Sequence, residues 1–172
     1  MSTANNSIDL NPEKTQPASL EGKFLTFCLK DEEYGLGILK VREIIGLMPI
    51  RTMPRTPSFV KGVINLRGKV IPVIDLRLKF GLEEAEHSEK TSIIVADIET
   101  SLQGVIHIGI VVDFVSEVIN IKSDEVEPAP LFGAGLNADY VLGMAKVGKS
   151  VKILLDIDQI LALENFDFTC ES

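Results

Sequence analysis

The feature that most constrains the fold is the regular alternation of short apolar segments with turn residues. Nine or ten segments have the composition of β-strands, and turns separate them at intervals of roughly 8–12 residues. Helical periodicity is confined to short pieces of the chain. Because many short, evenly spaced strands are typical of small sandwiches and barrels, the pattern predicts an all-β fold with short helices.

The stretch from residue 57 to residue 82 contains the clearest hairpin signal. Residues 63–67 and 70–74 predict two strands joined by a turn at Gly68 and Lys69, since glycine accepts positive φ without a Cβ clash. Pro72 has no N–H to donate, so we expect the return strand at a sheet edge or bulged.

Local signals elsewhere predict short helices and one ambiguous element. Asp75 and Asp156 stand where N-caps belong, so each predicts a helix after a strand, the second over residues 157–163. Residues 41–45 fit either a short helix or a strand. Residues 47–51 predict a short strand.

Positive charge is concentrated in one part of an acidic chain. The 172 residues carry a net charge of −8. Between Ile38 and Phe80, nine basic residues oppose two acidic ones, which gives +7 in this segment and −15 elsewhere. Because arginine pairs carboxylates through two points, a segment that holds every arginine predicts a docking face for an acidic partner. The arginines are Arg42, Arg51, Arg55, Arg67 and Arg77.

The two ends of the chain predict tails rather than packed structure. Residues 1–20 are polar with little periodicity, so we expect a disordered N-terminal tail, and residues 166–172 are expected to be a loose C-terminal tail. Neither a signal peptide nor an apolar run of membrane-spanning length is present. Cys28 and Cys170 form no motif, which favours a reducing compartment and hence a cytoplasmic protein.

The sequence lacks the common catalytic and cofactor motifs. A phosphate-binding loop, a dinucleotide-binding fingerprint and a nucleophile elbow are all missing. We interpret His87 as solvated, and His107 as a surface or satisfied core histidine. A metal site would require both histidines and both cysteines to converge from remote positions. An acid pair of Asp97 and Asp113 is less favoured than ordinary strand-end aspartates, so we predict no catalytic residue, cofactor or metal.

Several blocks of the chain, taken in order, resemble the CheW family, the chemotaxis coupling proteins of bacteria and archaea. The stretch VKGVINLRGKVIPVIDLRLKFGL carries the strongest likeness. The other blocks are the opening hairpin Phe24–Ile38, the motif Val41–Ile44, the prolines Pro54 and Pro57, the block Gly109–Val118, and the closing pair Gly143–Lys146 and Ile153–Asp156. The likeness covers residues 21–165.

The resemblance implies a fold, a function and a set of partners. It implies two packed five-stranded SH3-like β-barrel subdomains and a non-catalytic adaptor that couples methyl-accepting chemoreceptors to the histidine kinase CheA. The implied partners are the cytoplasmic tip of the receptor and the regulatory domain of the kinase, without nucleic acid or direct membrane insertion. The implied location is the cytoplasm, at membrane-associated receptor arrays.

The family motif also implies a receptor-contact groove. Its positions in this chain are Val41, Glu43, Gly62, Asn65, Arg67 and Gly68. Asn65 and Arg67 are expected on one face of their strand, because alternate strand residues point the same way. Glu43 is expected to orient Arg67 by a charge-assisted hydrogen bond.

Two other functions are open to the residues alone. A barrel-type nucleic-acid module would use the basic segment, but the sequence pI of 4.8 and the absence of interleaved aromatic and basic residues oppose it. A small hydrolase is opposed by the missing motifs. Salt-sensitive DNA binding would favour the first, and ester turnover lost on mutation of His107 would favour the second.

Overall fold

A computed structural model describes residues 21–100, 104–128 and 138–161. Within them the chain forms eleven β-strands and two short α-helices. In order these are β1 (Gly22–Leu29), β2 (Glu32–Gly37), β3 (Val41–Gly46), β4 (Val60–Leu66), β5 (Lys69–Asp75), α1 (Leu76–Lys79), β6 (Ser92–Thr100), β7 (Gly104–Val112), β8 (Phe114–Ile121), β9 (Val126–Glu127), β10 (Val141–Val147), β11 (Ser150–Leu155) and α2 (Ile157–Ile160). Both predicted tails lie outside the described residues.

The strands form two sheets, which confirms the predicted all-β class. Sheet 1 has the strand order β8-β1-β2-β11-β10-β9, and sheet 2 has the order β3-β6-β7-β5-β4. Sheet 2 has the five strands that were expected. Sheet 1 has a sixth, because the two-residue strand β9 pairs with Met144 and Ala145 of β10.

The two sheets repeat one topology with exchanged strands. Sheet 1 is centred on the antiparallel hairpin β1–β2, and β2 pairs in parallel with β11, the last strand of a second hairpin. Sheet 2 is centred in the same way on the antiparallel hairpin β6–β7, and β7 pairs in parallel with β5. The strand that follows each central hairpin crosses over, so that β3 joins sheet 2 and β8 joins sheet 1. The two halves of the chain are therefore intertwined.

The largest part of the core lies between the sheets. Nineteen buried residues from both sheets form this shared cluster, whereas the separate clusters of sheet 2 and sheet 1 contain six and five. Strand β6 contributes to two of them: Ile94 and Ala96 face the shared core, and Ile93 and Val95 face the interior of sheet 2. Burial on both faces explains its nearly continuous apolar sequence.

Both predicted helix caps are confirmed. The Asp75 carboxylate accepts hydrogen bonds from the N–H groups of Arg77 at 2.9 Å and Leu78 at 3.3 Å, and that of Asp156 accepts from Gln159 at 3.3 Å. These bonds satisfy N–H groups that a helix start leaves without partners. The second helix ends at Ile160, which is shorter than predicted.

Three local predictions are settled by strand pairing. The ambiguous residues 41–45 are part of strand β3, paired with β6. Residues 47–51, predicted as a strand, form only an isolated bridge between Arg51 and Val63. The prediction that Pro72 marks an edge or bulge is wrong, since β5 lies inside sheet 2 and its pairing with β7 begins at Val73.

Candidate partner-binding surface

The β4–β5 hairpin turns one residue earlier than predicted. Leu66 pairs with Lys69, so the turn consists of Arg67 and Gly68, with φ angles of 51° and 89°. Two positive φ values match the type I′ turn that suits the twist of a hairpin. Arg67 is therefore a turn residue, and the strand alternation that was expected to align it with Asn65 does not apply to it.

An ion pair holds the Arg67 side chain against β3. Nη2 of Arg67 donates a hydrogen bond to Oε2 of Glu43, as the resemblance implied. The Arg67 side chain is 68% exposed, while that of Glu43 is 28% exposed. The better-buried carboxylate thus restricts a guanidinium whose other donors remain open to a partner.

Asn65 stabilises the turn rather than lying beside the arginine on a flat strand face. Its Oδ1 accepts a hydrogen bond from the backbone N–H of Gly68 at 2.9 Å. Side-chain acceptors of this kind fix tight turns by satisfying an N–H that lies outside the strand ladder. Asn65 and Gly68 together therefore fix the turn that positions Arg67.

Gly62 permits a close backbone crossing next to the hairpin. Its φ is 142°, and a Cβ placed on it would lie 2.0 Å from the carbonyl oxygen of Arg51. The same oxygen accepts a hydrogen bond from the N–H of Val63 at 2.9 Å. The residue therefore has a structural reason to be glycine, because any side chain would displace the Arg51 segment.

The start of β3 contains a bulge that affects two side chains. Val41 pairs with Ala96 and Glu43 with Val95, which leaves Arg42 as the extra residue. Val41 is half-buried against the shared core. Since a bulge redirects side chains, Arg42 and Glu43 both reach polar partners, Asp97 and Arg67 respectively.

The arginine-rich segment carries less free charge than its sequence indicates. Arg42, Arg67 and Arg77 pair with Asp97, Glu43 and Asp113, respectively. Arg51 and Arg55 are exposed and make no ion pair with the described residues. The predicted docking face is therefore a mixture of paired and open arginines.

The titratable groups do not assemble into a catalytic set within the described residues. Asp97 and Asp113 are not an acid pair, because Asp97 lies opposite His107 and Asp113 binds Arg77. Burial raises the pKa of the Cys28 thiol, which disfavours a reactive thiolate. Cys170 lies outside the described residues, and the part of the chain that is described holds no cluster of metal ligands.

These features define a class of protein: a small all-β module of two packed sheets that presents an exposed, ion-paired arginine at a hairpin turn. A family model described as "CheW-like domain" matches residues 23–165. The chain therefore belongs to the CheW-like family.

Individual relatives agree with this assignment. The chain is 42% identical over 142 residues to the chemotaxis protein CheW of Klebsiella aerogenes, covering 83% of this chain and 82% of that protein. It is 32% identical over 144 residues to the CheW of Treponema pallidum, covering 81% and 82%. The crystal structure of the scaffolding protein TtCheW from Thermoanaerobacter tengcongensis superposes with a TM-score of 0.74 at 34% identity, covering 86% of this chain and 92% of that one.

The comparisons confirm three predictions made from the sequence. The family is the one that the motifs resembled, the fold is that of two SH3-like subdomains, and the function is that of a non-catalytic chemotaxis adaptor. The described part of the chain contains no helix long and apolar enough to cross a membrane.

Proposed function

We propose that this protein binds the cytoplasmic tip of a chemoreceptor through the groove at Arg67 and the regulatory domain of CheA through other faces of its subdomains. The observation that carries the proposal is the Arg67–Glu43 ion pair at the hairpin turn. It holds an exposed guanidinium in one orientation, and pre-organised arginines are common at interface hot spots. Receptor binding would then bring a cytoplasmic protein to membrane-associated arrays.

The remaining groove positions support Arg67 in different ways. Asn65 and Gly68 fix the turn, and Gly62 allows the Arg51 segment to pass behind it. Val41 anchors the start of β3 in the shared core. In this proposal Glu43 and Arg67 contact the receptor, and the other four residues position them.

Adaptor activity requires unequal affinity for the states of the kinase. A binding partner shifts a conformational equilibrium only as far as its affinities for the two states differ. The protein therefore activates the kinase by binding its active arrangement more tightly.

The Arg67→Ala variant tests the groove directly. Receptor-tip binding should weaken about tenfold or more, because loss of a paired interface charge typically costs roughly 2–5 kcal/mol. The melting temperature should hardly change, because Arg67 is exposed. Titration of the receptor tip and of the CheA regulatory domain against both proteins measures the two affinities.

Arg55→Ala provides a matched control. Arg55 is also exposed and also has a positive φ, 61°, but it lies in the loop before β4. Receptor affinity should fall far less in Arg55→Ala than in Arg67→Ala, because no ion pair among the described residues orients Arg55. CheA affinity should change little in either variant. Equal receptor affinities of wild type and Arg67→Ala would refute the groove assignment.

A further inference from the structure

An apolar groove lies on sheet 1, next to the beginning of β1 and to α2. It has a volume of about 370 Å³, and Glu21, Leu39, Leu142 and Ile157 are among the residues that line it. Leu39 is 93% exposed and Leu142 is 39% exposed. Because apolar side chains gain free energy when they leave water, two exposed leucines in one groove indicate a surface that another part of a protein covers. We call it the Leu142 groove.

The internal repeat of the fold identifies the equivalent position in sheet 2. Leu142 is the extra residue of a bulge in β10, and Lys61 is the extra residue of a bulge in β4. Each bulge lies opposite the end of the neighbouring strand, close to a helix-capping aspartate, Asp156 or Asp75. Leu142 and Lys61 are therefore equivalent residues of the two hairpins.

In sheet 2 the equivalent position is covered by the connector, residues 81–91, which runs from α1 to β6. Glu84 accepts a hydrogen bond from Nζ of Lys61 at 2.7 Å, and His87 and Lys61 together line one small cavity. Leu82 packs against the shared core at the start of the connector. With these contacts the side chain of Lys61 is only 19% exposed.

In sheet 1 the corresponding stretch of chain is the C-terminal segment, residues 162–172, which lies outside the described residues. It follows α2 as the connector follows α1, and both stretches contain 11 residues. Counted from the capping aspartates, Leu82 of the connector corresponds to Leu163. The C-terminal segment begins shortly after Ile157, which lines the Leu142 groove. It therefore has sufficient length to cross the groove, since an extended chain spans up to about 3.3–3.6 Å per residue.

The residues of the two stretches match the residue that each hairpin presents. By the same count, Glu84 and His87 correspond to Asn165 and Phe168, and Phe166 adds a second ring between the latter two. The carboxylate beside the cation of sheet 2 is thus replaced by an uncharged amide, and the imidazole by a phenyl ring, where sheet 1 has leucine instead of lysine. Since aromatic side chains bury about 150–250 Å² each, this exchange suits an apolar groove rather than a cation.

We propose that the C-terminal segment folds back from α2 and covers the Leu142 groove, with its two phenylalanine rings packed against Leu39 and Leu142. The rings are those of Phe166 and Phe168. The composition of the segment alone predicted a loose tail, because the apolar surface that it meets is formed only by the tertiary structure. While the segment lies in the groove, this face of sheet 1 is closed to partner proteins.

A nitroxide label on Cys170 tests this arrangement in the full chain by NMR. Cys170 and the buried Cys28 are the two cysteines of the chain, so Cys28→Ala restricts the label to the C-terminal segment. Paramagnetic broadening should be severalfold stronger at the backbone amides of Leu39 and Gly143 than at that of Lys61 in the equivalent hairpin. Comparable broadening at all three amides, or broadening that is strongest at another surface, would overturn the proposal.

Two lysine substitutions distinguish docking in the groove from simple tethering at α2. Leu142→Lys places in the groove the residue that sheet 2 has there, so the broadening at Leu39 should fall to the level seen at Lys61. Val151→Lys is the matched control and should retain the broadening, because Val151 is 43% exposed on the same hairpin but does not line the groove. Exposed positions of this kind tolerate lysine without loss of the fold. Equal broadening at Leu39 in wild type and both variants would show a loose tail and would overturn the proposal.

Two further measurements identify any other occupant of the groove. In a chain with Cys28→Ala and Cys170→Ser, Ser7→Cys moves the nitroxide to the N-terminal segment, and stronger broadening of the groove from this position would assign it to residues 1–20. An isotope-labelled chain mixed with a nitroxide-labelled one reports the C-terminal segment of a second copy, because only contacts between chains broaden its signals. Either result would overturn the intramolecular assignment, and weak broadening in both measurements is the expected outcome.

Discussion

The hairpins β4–β5 and β10–β11 occupy equivalent places in the two sheets but differ at their turns. Each ends in a strand paired in parallel with the other hairpin of its sheet, followed by an aspartate-capped helix. In β10–β11 the positive φ of 62° belongs to Gly148, and Lys149 has none. In β4–β5 both turn residues, Arg67 and Gly68, have a positive φ. A left-handed non-glycine residue costs roughly 1–2 kcal/mol, and such strain concentrates at functional sites.

The helices α1 and α2 show a second contrast between the two halves. Arg77 of α1 pairs with Asp113 in the β7–β8 connection, and Asp158 of α2 pairs with Lys40 in the β2–β3 connection. Each carboxylate also accepts a backbone N–H from a central hairpin, Lys30 for Asp113 and Glu99 for Asp158. The positions are equivalent in the two halves and the charges are reversed, so one geometry is held by opposite placements of the acid and the base.

The largest expected effect contrasts the two glycines of the β4–β5 hairpin. Gly62→Ala should lower the free energy of unfolding by more than about 3 kcal/mol, because its Cβ would overlap the Arg51 carbonyl. Gly68→Ala has open space around the new Cβ, so only backbone strain of roughly 1–2 kcal/mol remains. Chemical denaturation measures both. Similar losses of stability in the two variants would show that the Arg51 backbone shifts at little cost to make room for a side chain at position 62.

The next effect tests the reversed charge pairs. Arg77→Ala should cost about 2–3 kcal/mol, because it leaves Asp113 without the bonds from Nε at 2.9 Å and Nη2 at 2.7 Å. Lys40→Ala should cost under about 1 kcal/mol, since that pair is single and more exposed. Thermal and denaturant unfolding compare them. A larger loss in Lys40→Ala would contradict the assignment of Arg77 as the stronger contact.

A smaller effect is expected when the turn residue Arg67 is itself replaced. Arg67→Asn places asparagine, which tolerates positive φ, before Gly68 and should raise the free energy of unfolding by up to about 1 kcal/mol. The same variant should lose receptor affinity as Arg67→Ala does. Lys149→Asn in the equivalent hairpin should change stability little, because Lys149 has no positive φ. If Arg67→Asn is more stable than wild type and still binds the receptor normally, the backbone strain at Arg67 has no connection with receptor binding.

The smallest expected effect is a pH dependence at Asp113. Burial alone would raise the pKa of this carboxyl, but hydrogen bonds from Arg77 and from the Lys30 N–H hold the pKa below its ordinary value. A depressed pKa stabilises the fold above the unfolded value of about 3.9, and this contribution disappears as the pH falls through the folded pKa. After solvent screening it should be under about 1 kcal/mol. Melting curves between about pH 6 and pH 3 should converge for wild type and Asp113→Asn, and parallel curves would exclude the effect.

The sequence by itself determined the features that depend on local chemistry. Alternating apolar residues marked most of the strands, and the capping aspartates Asp75 and Asp156 marked the helix starts, because N–H groups at a helix start need acceptors within a few residues. The ordered motifs around VINLRG identified the family. The position of Glu43 beside Arg67 followed from the family motif rather than from any local pattern.

Only the tertiary structure decided which strands pair and which charges meet. The pairs Arg67–Glu43, Arg77–Asp113 and Arg42–Asp97 join residues 24, 36 and 55 positions apart. Strand alternation does not specify such partners, because it fixes which face a residue occupies but not which strand lies beside it. The same reason explains Pro72 inside a sheet, the loss of the strand expected at residues 47–51, and the one-residue shift of the turn at Arg67. Burial of the shared core selected the exchanged topology, and that topology brought Arg42, Asp97 and His107 together across three strands.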